Sequence, residues 1–108
     1  MLKLNSKGLI MKVEDYIKYS EWVLQYLDNE ATIESIDILD ADFVEAFIKQ
    51  FNPKSYWYVY GAPKVPILGP LLSKMYHEGK LNRYATGLQC HEWGFPNWVY
   101  SYRRRNNE

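Results

Sequence analysis

The chain has 108 residues, with 13 Lys and Arg balanced by 13 Asp and Glu, and 17% of it is aromatic. That length holds one domain, and so many rings exclude an intrinsically disordered chain. A single cysteine, Cys90, excludes an internal disulfide framework and fits a reducing compartment.

Residues 1–12 show neither helical nor strand periodicity and read as a flexible arm, leaving 13–105 as the folded domain. A first helix is predicted over 14–28, where Val13, Ile17, Leu24 and Leu27 fall on one face, with Tyr16 and Val23 widening the stripe. The stretch TIESIDIL, 32–39, has isoleucines that do not alternate strictly and predicts a short strand. In the second helix Asp40 serves as cap, Phe43, Phe47, Ile48 and Phe51 form the inner stripe, and Asn52-Pro53 is the stop.

SYWYVY, 55–60, is aromatic and β-branched on both faces, so it predicts a strand that is covered or lies at a subunit interface. A third helix follows, with Leu68, Leu71, Leu72 and Met75 facing the core and Gly79 as the glycine just past its end. Pro70 lies inside this stretch, so the helix either kinks there or begins there. Two strands, 81–88 and 98–103, complete the chain around a tip at 89–97 that contains Gly94 and Pro96.

Charge is unevenly spread. Residues 1–62 hold six lysines and ten acids, whereas 63–108 hold seven cations and three acids. One end of the molecule is therefore suited to an anionic partner. The longest nearly apolar run, 65–72, has eight residues including two prolines and a glycine. A membrane span needs about twenty. A cytoplasmic protein with no membrane partner is the expectation.

Two segments carry a resemblance. LSKMYHEGKLNR, 72–83, joins an amphipathic helix through a glycine to a basic strand, and GFPNWVYSY, 94–102, is a return strand opened by glycine and proline. Together they resemble the third helix and wing of winged helix-turn-helix DNA-binding domains, as found in small prokaryotic and viral or phage regulators. The likeness covers 64–104 and extends over the first two helices by order and spacing.

The fold it implies is α+β: three helices with a C-terminal two-stranded β-wing, plus an inserted aromatic strand before the third helix. The function it implies is binding of double-stranded DNA by a homodimeric transcriptional regulator or architectural protein. The third helix would enter the major groove and present Pro66, Pro70, Ser73, Lys74 and His77. The wing would present Arg83, Tyr84, Gln89 and His91. Lys64, Lys74, Lys80, Arg83, Arg103, Arg104 and Arg105 are the candidate phosphate contacts.

A different class of function also fits these residues. The apolar turn over 65–70 and the tyrosine-rich strand suit a protein partner, so a protein–protein interaction module on the same scaffold is the alternative. No phosphate loop, serine elbow or carboxylate pair is present to suggest an enzyme. Cys90 and His91 are adjacent, which in an extended segment sends them to opposite faces, and no zinc-type spacing surrounds them. No cofactor or metal is expected.

Overall fold

A computed structural model describes residues 2–4, 10–29, 34–59, 62–89 and 98–105. It is an α+β arrangement of three helices and three antiparallel strand pairs. Residues 1–12, read above as an arm, contain β1 (Leu2–Leu4) and β2 (Ile10–Lys12), which pair with Leu2 opposite Lys12. Strands of three residues are too short to show alternation in the sequence.

Helix α1 (Val13–Asn29) follows at once. Its buried face is Tyr16, Ser20, Val23 and Leu27, while Val13 is 56% and Ile17 49% exposed. The apolar stripe read from the sequence is therefore rotated by part of a turn. Large rings decide the orientation, because Trp22 and Tyr26 of α1 pack on Phe43 of the next helix and Tyr16 turns toward the third.

The strand expected over 32–39 is reduced, within its described part, to one bridging residue. Ile36 exchanges both backbone hydrogen bonds with Tyr102, at 3.0 and 2.8 Å. The Asp37 carboxylate then accepts from the Leu39 N–H at 2.7 Å, and the Asp37 carbonyl accepts from Asp40 N–H. That local turn ends any strand. Burial pushes the Asp37 carboxyl above its ordinary range, and the Leu39 N–H partly opposes the shift.

Helix α2 (Ala41–Phe51) is bounded as its sequence predicts. Asp40 accepts from the Phe43 N–H, and Asn52 closes the other end in the left-handed conformation ahead of Pro53. The aromatic segment is strand β3 (Tyr56–Val59), and it returns through β4 (Ala62–Lys64), a partner hidden from the sequence by its proline.

Helix α3 (Leu68–His77) begins two residues before Pro70 and runs through it. Pro70 is the third helical residue, where the missing N–H would have no helical acceptor in any case. Leu68, Leu71, Leu72 and Met75 are buried as predicted. At the other end Gly79 N–H donates to Tyr76 O at 3.0 Å and Lys80 N–H to Met75 O at 2.9 Å, with Gly79 at φ +79°. This is a complete Schellman closure, and it turns the chain directly into the last sheet.

That sheet pairs β5 (Leu81–Gln89) with β6 (Trp98–Arg104), with Arg83 opposite Tyr102 and Tyr84 opposite Ser101. One core unites Val23, Phe43, Phe47, Leu72, Met75, Leu81 and Val99. Among the described residues no helix is long and apolar enough to cross a membrane.

Candidate nucleic-acid interface

Two lysines of the second half meet where α3 turns into β5. Lys74 lies one turn before the end of the helix and Lys80 just after it, so the Schellman turn brings their ammonium groups to one carboxylate. Lys74 Nζ is 3.2 Å from Glu78 Oε2, and Lys80 Nζ is 3.4 Å from Glu78 Oε1. Tyr16 donates its hydroxyl to the same Oε1 at 2.5 Å from across the domain. Both ammonium groups also lie over the Tyr16 ring, at 4.9 and 4.8 Å from its centre.

These contacts shift both acids in opposite senses. The Tyr16 hydrogen bond is the main cause that holds the Glu78 carboxyl below the usual carboxylate range, and the two lysines add to it. Burial, then the hydrogen bond to Glu78, pushes the Tyr16 phenol far above the ordinary tyrosine value.

Two arginines of the hairpin stand beside the end of α3, Arg83 at Tyr76 and Arg105 at Gly79. Arg83 is half-buried, with its guanidinium carbon 4.2 Å from the Tyr76 ring centre and 4.3 Å from that of Tyr100. It is stacked between α3 and β6. Burial raises the Tyr102 phenol, and Arg83 beside it pulls the other way. Arg105 donates its backbone N–H to the Lys80 carbonyl at 3.3 Å. Its guanidinium lies 3.4 Å from the point a Cβ on Gly79 would occupy. Thus Lys74, Lys80 and Arg105 border one turn that holds a single carboxylate, Glu78, and Arg83 stands beside the last turn of α3 at Tyr76.

Other expected residues stand elsewhere. Lys64 is only 5% exposed, and its ammonium lies 6.0 Å from the Tyr56 ring centre across the β3–β4 pair. It is enclosed beside α2 and offers no outward charge. Arg104 points back to α1, with its Nε 3.5 Å from Asp28 Oδ1. The acidic first half therefore neutralises one of the three consecutive arginines. Arg103 is exposed and lies 5.0 Å over the Tyr84 ring, on the outer face of the hairpin.

Ser73 is half-buried and His77 exposed, with the His77 ring 5.1 Å from that of Tyr76. Of the apolar lead into α3, Val65 and Leu68 are buried, while Pro66, Ile67 and Pro70 are half-buried. Gln89 ends β5 opposite Trp98, and His91 lies outside the described residues, as does Cys90.

Sequence reasoning missed Glu78 and the three tyrosines, Tyr16, Tyr76 and Tyr100, that hold the cations. Glu78 was readable, because it stands four residues after Lys74 on a predicted helix. Tyr16, 62 residues from Glu78, leaves no local signal. Among the described residues no group of three or more His, Cys, Asp or Glu could hold a metal ion. No family model, curated protein or solved structure matches the chain.

Proposed function

We propose that this protein binds double-stranded DNA through backbone phosphates, with the turn between α3 and β5 as its anchoring point and a winged-helix arrangement as its scaffold. One observation carries the reading: folding gathers Lys74, Lys80 and Arg105 around that turn although they span 32 positions of the chain. A protein of zero formal charge acquires in this way a local excess of cations. Such an excess is the electrostatic requirement for a polyanion.

The scaffold reading is supported by the order of elements. A helix, a bridging residue on β6, two further helices and a terminal hairpin succeed one another, with the bridge welding the hairpin to the helices. Phosphate contacts from the α3–β5 turn and Arg103 would position the duplex, with Ser73 and His77 the polar groups nearest the groove side of α3. The half-buried prolines at the start of α3 offer bases few hydrogen bonds. DNA shape rather than base pattern would therefore set preference.

The test is fluorescence anisotropy with a labelled duplex at 50 and 200 mM salt. Affinity falls with salt in the native protein, and replacing Lys74, Lys80, Arg103 and Arg105 by alanine flattens the logarithmic slope by about 3 to 4, since each phosphate contact contributes about 0.9. Absence of duplex binding at the lower salt removes this function. Capture of a protein partner that survives high salt would favour an interaction module using Pro66, Ile67 and Pro70 instead.

A further inference from the structure

The carboxylate at the centre of this site is in an unfavourable place for an acid. Glu78 is the C-terminal cap of α3, where the helix dipole is negative. The carbonyls of Lys74, Met75 and Tyr76 are already used, accepting from the N–H groups of Glu78, Lys80 and Gly79. They therefore do not help to neutralise the lysines. The carboxylate is held there by three donors, Tyr16 Oη, Lys74 Nζ and Lys80 Nζ, that converge on its two oxygens from 2.5, 3.2 and 3.4 Å. Arg105 borders the group at Gly79.

A phosphodiester presents the same pattern, two unesterified oxygens on one centre sharing one negative charge. Glu78 is also free to leave. Its side chain is 40% exposed, and rotation about its own bonds requires no change in the Schellman turn. Of the donors, Tyr16 is fixed by the fold at 6% exposed, and the Lys74 and Lys80 side chains, 44% and 36% exposed, lie over its ring.

We propose that Tyr16, Lys74 and Lys80 form a phosphate subsite in which Glu78 sits as a built-in competitor, displaced when a DNA backbone phosphate enters. This rests on the DNA reading for its ligand but not for its chemistry, which is that of any phosphate monoanion or dianion. The competing carboxylate weakens binding to every duplex equally, so it confines retention to sites where other contacts add enough affinity.

The experiment compares the native protein with E78Q, E78A, and E78Q combined with K74A and K80A. E78Q keeps an amide oxygen for Tyr16 and removes the charge; E78A serves if the amide fails to fold by far-UV circular dichroism. At 50 mM salt, E78Q is expected to bind a labelled duplex about tenfold tighter, because phosphate no longer has to displace a carboxylate, with a slope close to the native one since Lys74 and Lys80 reach phosphate in both proteins. The added lysine substitutions should cancel that gain. A second arm titrates inorganic phosphate against the Tyr16 ring resonances, which should move in E78Q at concentrations that leave the native protein unaffected.

Native duplex binding with an E78Q affinity equal or weaker overturns the competitor role while leaving the DNA function standing. Phosphate shifts in E78Q without duplex binding by either protein support the subsite and remove the DNA function. Neither phosphate nor duplex binding by E78Q overturns the subsite itself.

Discussion

The two aromatic regions of this molecule use the same kind of side chain for different ends. Between α1 and α2, the rings of Tyr19, Trp22, Tyr26, Phe43, Phe47 and Phe51 pack on one another with centres 4.8 to 6.0 Å apart, mostly edge to face. At the α3–β5 junction, Tyr16, Tyr76 and Tyr100 instead face Lys74, Lys80 and Arg83. The first region packs rings on one another around the fully buried Phe43 and Phe47, with Lys18 at its rim 5.9 and 6.0 Å from the Tyr19 and Phe51 ring centres. The second turns their faces to cations and so holds charge at a set place on the surface. A neutral chain can in this way hold cations at a set place on its surface, two of them also paired with Glu78.

The comparison breaks most easily at Phe47, which is fully buried and touches Tyr19, Trp22 and Phe51. Phe47→Ala removes a ring from the closed layer and should cost about 3–5 kcal/mol in urea unfolding, by lowering the midpoint with little change in slope. Where that variant is still folded, its duplex affinity should match the native value. A loss of DNA binding in a folded F47A protein would show that the two regions are not separable.

Arg83→Ala tests the other side with a smaller effect. Two ring faces lose their cation, at about 0.5–1 kcal/mol each for partly exposed contacts, so about 1–2 kcal/mol of stability is expected to go. Arg83→Lys should recover little of it, because a compact ammonium cannot serve both rings as the broad guanidinium does, 4.2 and 4.3 Å from their centres. Full recovery by lysine would mean that charge alone matters there and that the stacking is incidental.

How much of this was legible follows from the range over which each feature acts. Asp40 as a cap, Gly79 past the end of α3 and the inward stripe of Leu68, Leu71, Leu72 and Met75 are all set by neighbours within a turn or two. The sequence shows them directly. The stripe read on α1 contained the buried Tyr16, Val23 and Leu27, but Val13 and Ile17 satisfy the helical period equally well and stand exposed. Only contact with Phe43 and Glu78 decides between the two faces. Lys64 and Arg104 looked like phosphate ligands because composition counts charges without showing what encloses or opposes them. Asp28, which meets Arg104, lies in another helix altogether.

The smallest effect separates the two regions by pH. Glu78 has a folded-state pKa below its unfolded value, so its contribution to stability is present above the ordinary carboxylate range, near pH 4.3. It is lost as pH falls through the lower folded value. Tyr16 is shifted the other way. Its contribution is present below the ordinary tyrosine value of 10.0 and is lost as pH rises beyond it toward the folded value. Because Glu78 is 40% exposed, screening holds its share to under about 1 kcal/mol. The destabilisation caused by E78Q, measured by urea midpoint, should therefore be small at pH 7 and shrink toward zero in acid. The larger penalty of F47A should stay level over the same range, since no group in the Phe47 cluster that meets it changes charge there. An E78Q penalty that did not change with pH would mean that Glu78 serves Tyr16 as a neutral acceptor only. The lysines would then be held by the Tyr16 ring rather than by its acid partner.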